Sequence, residues 1–121
     1  MFHPKYMDLE VWQEAMTLVE EVYEVIKTLP KDEQFGLSDQ LRRCSVSVPS
    51  NIAEGSGRGT VKDYIHFLHT SKGSLYEVAT QIELCIRLKY VRREYLTHIF
   101  IRIDTVSKKL NGLITHLKSK L

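Results

Sequence analysis

Apolar residues recur at helical spacing in four stretches of the chain. The first runs Leu9, Trp12, Ala15/Met16, Val19, Val22/Tyr23, Ile26 and Leu29, with Asp8 placed to cap its start. Glu10, Glu14, Glu20, Glu21 and Glu24 fall mainly on its other side, and Pro30 stops it. The second stretch is Leu37, Leu41, Cys44, Val48 and Ile52, with Pro49 inside it. A proline there removes one helical hydrogen bond and costs about 3 kcal/mol. The stripe nevertheless resumes in phase at Ile52, which favours a kinked helix over two short ones meeting near Val48. Ser45, Ser47 and Ser50 are candidates to satisfy the freed backbone groups, and the helix is expected to end near Gly55 in a left-handed conformation.

Thr60 opens the third stretch as the first residue of a variant capping box, Thr60-x-x-Asp63. Its apolar positions, Tyr64, Leu68, Ser71, Leu75, Val78, Ile82 and Cys85, alternate steps of four and three, the seam of bundle packing. Phe67, Ser74, Ala79 and Ile86 widen that face. Gly73 in mid-helix predicts close approach of a neighbouring helix. The fourth stretch runs Leu96, Ile99, Ile103, Val106, Leu110, Leu113, Leu117 and on to Leu121. With short loops between them, these stretches predict one all-α domain over 1–121. It is an antiparallel up-down-up-down four-helix bundle with helices at about 9–29, 37–55, 61–89 and 93–119, the second kinked at Pro49.

Composition agrees with one domain and goes little further. A chain of 121 residues, 43% hydrophobic and 26% charged, can bury a core and is not disordered. The N-terminus lacks the pattern of a secretory signal, and no apolar run approaches the roughly 18 residues of a membrane helix, so a cytoplasmic protein is expected. Cys44 and Cys85, far apart and on apolar stripes, read as buried free thiols.

The net charge of +2 conceals an asymmetry. Residues 1–35 carry eight acids and three bases, whereas residues 36–121 carry seven acids and fourteen bases. The bases cluster at Arg42-Arg43, at Arg58 with Lys62, at Arg87, Lys89, Arg92 and Arg93, at Lys108-Lys109 and at Lys118/Lys120. The Arg87–Arg93 stretch holds no acid and includes Tyr90, a combination suited to phosphate contact with an aromatic at hand for stacking. Bases near helix C-termini also complement the helix dipole and can simply be solvated, and both readings stand.

Enzyme-like signals are weak. Gly55-Ser56-Gly57-Arg58-Gly59-Thr60 lacks the spacing, the lysine and the preceding strand of a P-loop, although Arg58 and Lys62 beside a helix N-terminus suit a phosphate. Asp63, His66 and His69 offer one Asp-x-x-His, with no second copy to complete a di-iron site. No G-x-S-x-G is present. The expectation is a non-enzyme with no metal and no cofactor.

Three runs are distinctive. They are Gln40-Leu41-Arg42-Arg43-Cys44-Ser45-Val46-Ser47-Val48-Pro49-Ser50-Asn51-Ile52-Ala53-Glu54-Gly55, then Gly73-Ser74-Leu75-Tyr76-Glu77, and the opening Asp8-Leu9-x-Val11-Trp12-Gln13-x-Ala15. Together with Arg58, Phe67-Leu68 and Tyr23, they resemble the four-helix-bundle family encoded in intervening sequences of bacterial 23S ribosomal RNA genes. The likeness spans nearly the whole chain, with Cys44 where the family usually has Ala.

The resemblance implies a left-handed antiparallel bundle, commonly assembled into a ring-shaped homopentamer. That family is similar to the basic accessory proteins of diversity-generating retroelements, which bind nucleic acid and a reverse transcriptase. The implied partners are therefore further copies of the chain and rRNA-derived or other nucleic acid, met by Arg42, Arg43, Arg58, Lys62, Arg87, Lys89, Arg92 and Arg93. The alternative is an oligomeric scaffold that docks another protein. Gln40, Pro49, Asn51, Glu54, Gly55, Gly73 and Glu77 are the motif residues expected to serve structure or oligomer contact. A network of Arg42 or Arg43 with Asn51 and Glu54, within a helix pair or between subunits, would hold the Pro49 kink.

Overall fold

The computed structural model describes residues 1–121 and contains four helices and no strand: α1 (Glu10–Thr28), α2 (Leu37–Ser56), α3 (Val61–Arg87) and α4 (Thr97–Lys118). Short 3₁₀ turns lie at Lys5–Asp8, Lys31–Glu33 and Arg93–Tyr95. Contacts run from α1 to α2, α2 to α3, α3 to α4 and α4 back to α1, so the helices close around one shared core.

The core stripe of α3 is the one its spacing predicts: Leu68, Ser71, Leu75, Val78, Ile82 and Cys85 are all buried, with Tyr64 half-buried beside Ile65. Helix α1 differs. Its buried positions are Val11, Ala15, Leu18, Val22 and Val25, while Trp12, Val19 and Ile26 are half-buried and Met16 and Tyr23 exposed. Ala15 and Val22 of the predicted stripe therefore face the core, while its other members lie to the side. Asp8 does not cap α1: Leu9 holds that position, and the Asp8 carboxylate instead lies 2.8 Å from His3 Nε2. Helix α4 begins at Thr97 and not near 93, because Arg93–Tyr95 forms a separate turn.

Helix α2 passes through Pro49 without interruption. The serines around it do not serve the freed backbone as expected. Ser45 Oγ donates to the Arg42 carbonyl, Ser47 Oγ pairs with Ser74 Oγ on α3 at 2.8 Å, and Ser50 is exposed. The bond beside the proline comes from α3, where Ser71 Oγ donates to the Val48 carbonyl at 2.8 Å. Small hydroxyls thus serve as both filler and cross-link between α2 and α3, and no buried side-chain polar atom is left without a partner.

Neither motif glycine has its expected role. Gly55 is still helical, and a Cβ there would meet Phe67 Cβ at 2.7 Å and the Tyr64 carbonyl at 3.2 Å, so it is the close-approach glycine. The left-handed conformation falls to Gly59, with φ +93°. Gly73, by contrast, is exposed, and a Cβ there would meet nothing within 4 Å.

Candidate nucleic-acid interface

Six of the eight sequence-predicted basic residues lie at one end of the molecule. Cys44 Sγ on α2 sits 3.4 Å from Gln81 Oε1 on α3, which places the first turns of α2 beside the last turns of α3. Tyr90 Oη donates to Glu33 Oε2 at 2.8 Å and ties the turn after α3 to the turn before α2. Arg42, Arg43, Arg87, Lys89, Arg92 and Arg93 therefore share this end. Arg58 and Lys62 stand at the other end of α3, roughly 35 Å away at 1.5 Å per helical residue.

Internal pairing differs sharply among these cations. Arg93 is held by a two-pronged bond to Glu83 at 2.7 and 2.8 Å, and its guanidinium also lies over the Phe100 ring. That bond is the first cause holding the Glu83 carboxyl below its usual pKa. Arg42 and Arg43 both approach Asp39 one turn earlier, at 3.8 and 2.9 Å, and neither reaches Asn51 or Glu54. Within the chain the Arg–Asn–Glu network does not form: Asn51 Nδ2 donates to the carbonyl and hydroxyl of Ser47, and Glu54 pairs with Arg58 at 3.6 Å. Arg92 meets Glu94 loosely at 3.7 Å. Arg87, Lys89 and the distant Lys62 make no ion pair.

Lys89 also occupies an unusual backbone position. Helix α3 closes with Tyr90 N–H donating to the Cys85 carbonyl and Lys89 N–H to the Ile86 carbonyl, the Schellman pattern. This motif sets its middle residue in the left-handed region, where glycine is usual, and Lys89 takes φ 65° as the only non-glycine residue of positive φ. Around it, Ile86, Lys89, Tyr90, Val91, Arg92, Arg93 and Glu94 line an open hollow of about 500 Å³.

At the far end, Thr60 Oγ1 accepts from Asp63 N–H at 3.1 Å as the capping box predicts. Arg58 lies over the Phe67 ring as well as beside Glu54, whereas Lys62 and Lys5, the latter bordering Ala53, Ser56 and Gly57, make no ion pair there. His66 and His69 are exposed, and the His66 ring packs edge-on to Phe67. No three His, Cys, Asp or Glu side chains converge as a metal site would need. Cys44 and Cys85 are buried free thiols, and burial pushes both up to about 11.

Sequence reasoning missed the charged seam between α1 and α4. Arg102 reaches Glu14 at 2.6 Å and Glu21 at 3.0 Å, and Lys109 bonds Glu10. The signal was present in the spacing: Glu10, Glu14 and Glu21 share one face of α1, and Arg102 and Lys109, seven apart, share one face of α4. Much of the acidic–basic asymmetry of the chain is consumed in this seam.

Among the remaining motif residues, Gln40 is exposed, while Gly73 and Glu77 border a shallow hollow on the outer face of α3. Pro49 lines an uncharged trench of about 350 Å³, between Trp12, Met16 and Val19 of α1 and Val46 and Ala53 of α2.

The 23S rRNA-intervening sequence protein model matches residues 7–112, which takes in all four helices except the last turns of α4. The chain belongs to this family. Among solved structures, it is similar to a protein of unknown function from the S23 ribosomal protein family of Bacteroides thetaiotaomicron. The two are 25% identical over 86% of this chain and 97% of the other, with a TM-score of 0.79. No curated protein matches. This family member has no helix long and apolar enough to cross a membrane.

Proposed function

We propose that this family member is a non-enzymatic, cytoplasmic, homo-oligomeric antiparallel bundle that binds structured RNA, rRNA-derived or other, through the basic end described above. The observation that carries this reading is the gathering of Arg42, Arg43, Arg87, Lys89, Arg92 and Arg93 at one end, with Arg87 and Lys89 unpaired. The exposed surface pairs of Arg43 and Arg92 are worth little in water and can be exchanged for phosphate. Opposite runs of paired residues support the antiparallel course: Ser47 to Ser74 and Cys44 to Gln81, Glu10 to Lys109 and Glu21 to Arg102. Filter binding of a structured RNA over a salt series tests the reading. Affinity should fall steeply with salt, and an Arg87→Ala/Lys89→Ala variant should lower both affinity and slope. Absence of binding at low salt sinks it.

Self-association draws support from two outer surfaces. The trench between α1 and α2 is apolar and uncharged, and Gly73 leaves open space on a helix where glycine has no use within the chain. Light scattering should give a mass of several protomers, five by the family resemblance, and a monomer at micromolar concentration would contradict it. The same trench favours a second reading, a scaffold that docks another protein with no nucleic acid. A nuclease-resistant protein partner, with no RNA shift, would select that reading.

A further inference from the structure

We propose that the hollow at the α3–α4 turn receives one unpaired nucleotide, its phosphate against Lys89 and Arg92 and its base over Ile86 and Val91. This inference rests on the RNA-binding reading and names the class of RNA. The hollow holds about 500 Å³, room for one nucleotide but not for a duplex, and combines three cations with an apolar floor and one carboxylate. That carboxylate, Glu94, already faces Arg92. Proteins that read RNA in this way take bases from loops, bulges and ends, where a base can be splayed out.

Its walls are fixed in advance. Tyr90 is anchored to Glu33, and Arg93 is clamped by Glu83 and Phe100. Between these anchors stands Lys89, which keeps a long cationic side chain in a backbone conformation that glycine would occupy without strain. Lys89 makes no ion pair inside the chain, and the dipole of α3 would be served equally by a cation at an unstrained position. Strain held at such a position points to a role for the side chain itself.

Fluorescence anisotropy with two labelled RNAs of equal length tests the proposal, one a hairpin with a single bulged nucleotide and the other fully paired. The bulged RNA should bind about tenfold more tightly, the range expected from burying part of one base against apolar side chains. Lys89→Gly relieves the strain, so the variant should melt no lower than the parent. It should nonetheless bind the bulged RNA about fivefold more weakly, with a salt slope reduced by about one. Equal affinity for the two RNAs, or a Lys89→Gly variant with unchanged affinity and slope, overturns the proposal and leaves the RNA-binding reading intact. Failure of the parent protein to bind either RNA overturns both.

Discussion

Gly55 and Phe67 meet so closely that a Cβ added to Gly55 would lie 2.7 Å from the Phe67 Cβ. Neither neighbour can swing aside, because one contact is a Cβ and the next is the Tyr64 ring and carbonyl. Alanine has the higher helix propensity by about 1 kcal/mol, but overpacking costs about 1–3 kcal/mol. Gly55→Ala should therefore destabilise the chain, by about 1–2 kcal/mol, read as a lower urea midpoint at unchanged slope.

Gly73→Ala should act in the opposite direction. Its added methyl meets nothing within 4 Å, so the helix-propensity gain of about 0.5–1 kcal/mol stands alone and the melting temperature should rise. A bulkier change separates chain stability from assembly. Gly73→Trp should leave the circular dichroism of the helices intact while lowering the mass in light scattering, provided a second copy packs on this face of α3.

Arg102 holds two carboxylates on a neighbouring helix, and its own side chain is only 30% exposed. Hydrogen bonds to Glu21 and Glu14 push its pKa further up, so the guanidinium stays charged at every accessible pH. Arg102→Met leaves Glu14 and Glu21, two turns apart on one face of α1, at a half-buried seam without the cation they share. The expected loss is about 2 kcal/mol. Arg102→Lys should restore only part of it, since a single ammonium cannot fork between two carboxylates.

The two thiols make an alkaline prediction. Burial raises Cys44 and Cys85 from 9.0 to about 11 in the folded chain. The folded state thus holds these protons more tightly than the unfolded state. That contribution is fully present below pH 9 and is lost as pH rises from 9 towards 11. Chemical denaturation across this window should show falling stability. Below it, a thiol reagent should leave the native protein untouched and label both cysteines once the chain is unfolded.

Legibility followed the physics of each element. The α3 stripe, the Thr60 cap and the α2 stripe were readable because a four-three rhythm and a capping box depend only on neighbours along the chain. Helix α1 was legible in part: Ala15 and Val22 of its expected stripe are buried, but Trp12, Met16, Val19 and Tyr23 form a stripe as regular as Val11, Leu18 and Val25, and periodicity cannot say which one faces the core. Close approach falls to Gly55 and not to Gly73, because it is a property of two helices that one sequence position does not carry. Of the basic site, the residues were visible but not their pairing. Glu83 claims Arg93 only once the turn after α3 has formed, whereas Asp39 and Arg43, four apart on α2, make a pair that spacing alone could have shown. The left-handed Lys89 was invisible because that conformation announces itself in sequence chiefly through glycine.

The cross-links between helices also set an order of assembly. Those joining α2 to α3 span 23, 27 and 37 residues, whereas those joining α1 to α4 span 81, 88 and 99. Short closures lose less chain entropy, so the α2–α3 hairpin is favoured as the nucleus and the α1–α4 seam as the last joint to close. On that expectation Ser71→Ala slows refolding, while Arg102→Met chiefly speeds unfolding. A chain leaving the ribosome would have the acids of α1 waiting, unpaired, until α4 arrives.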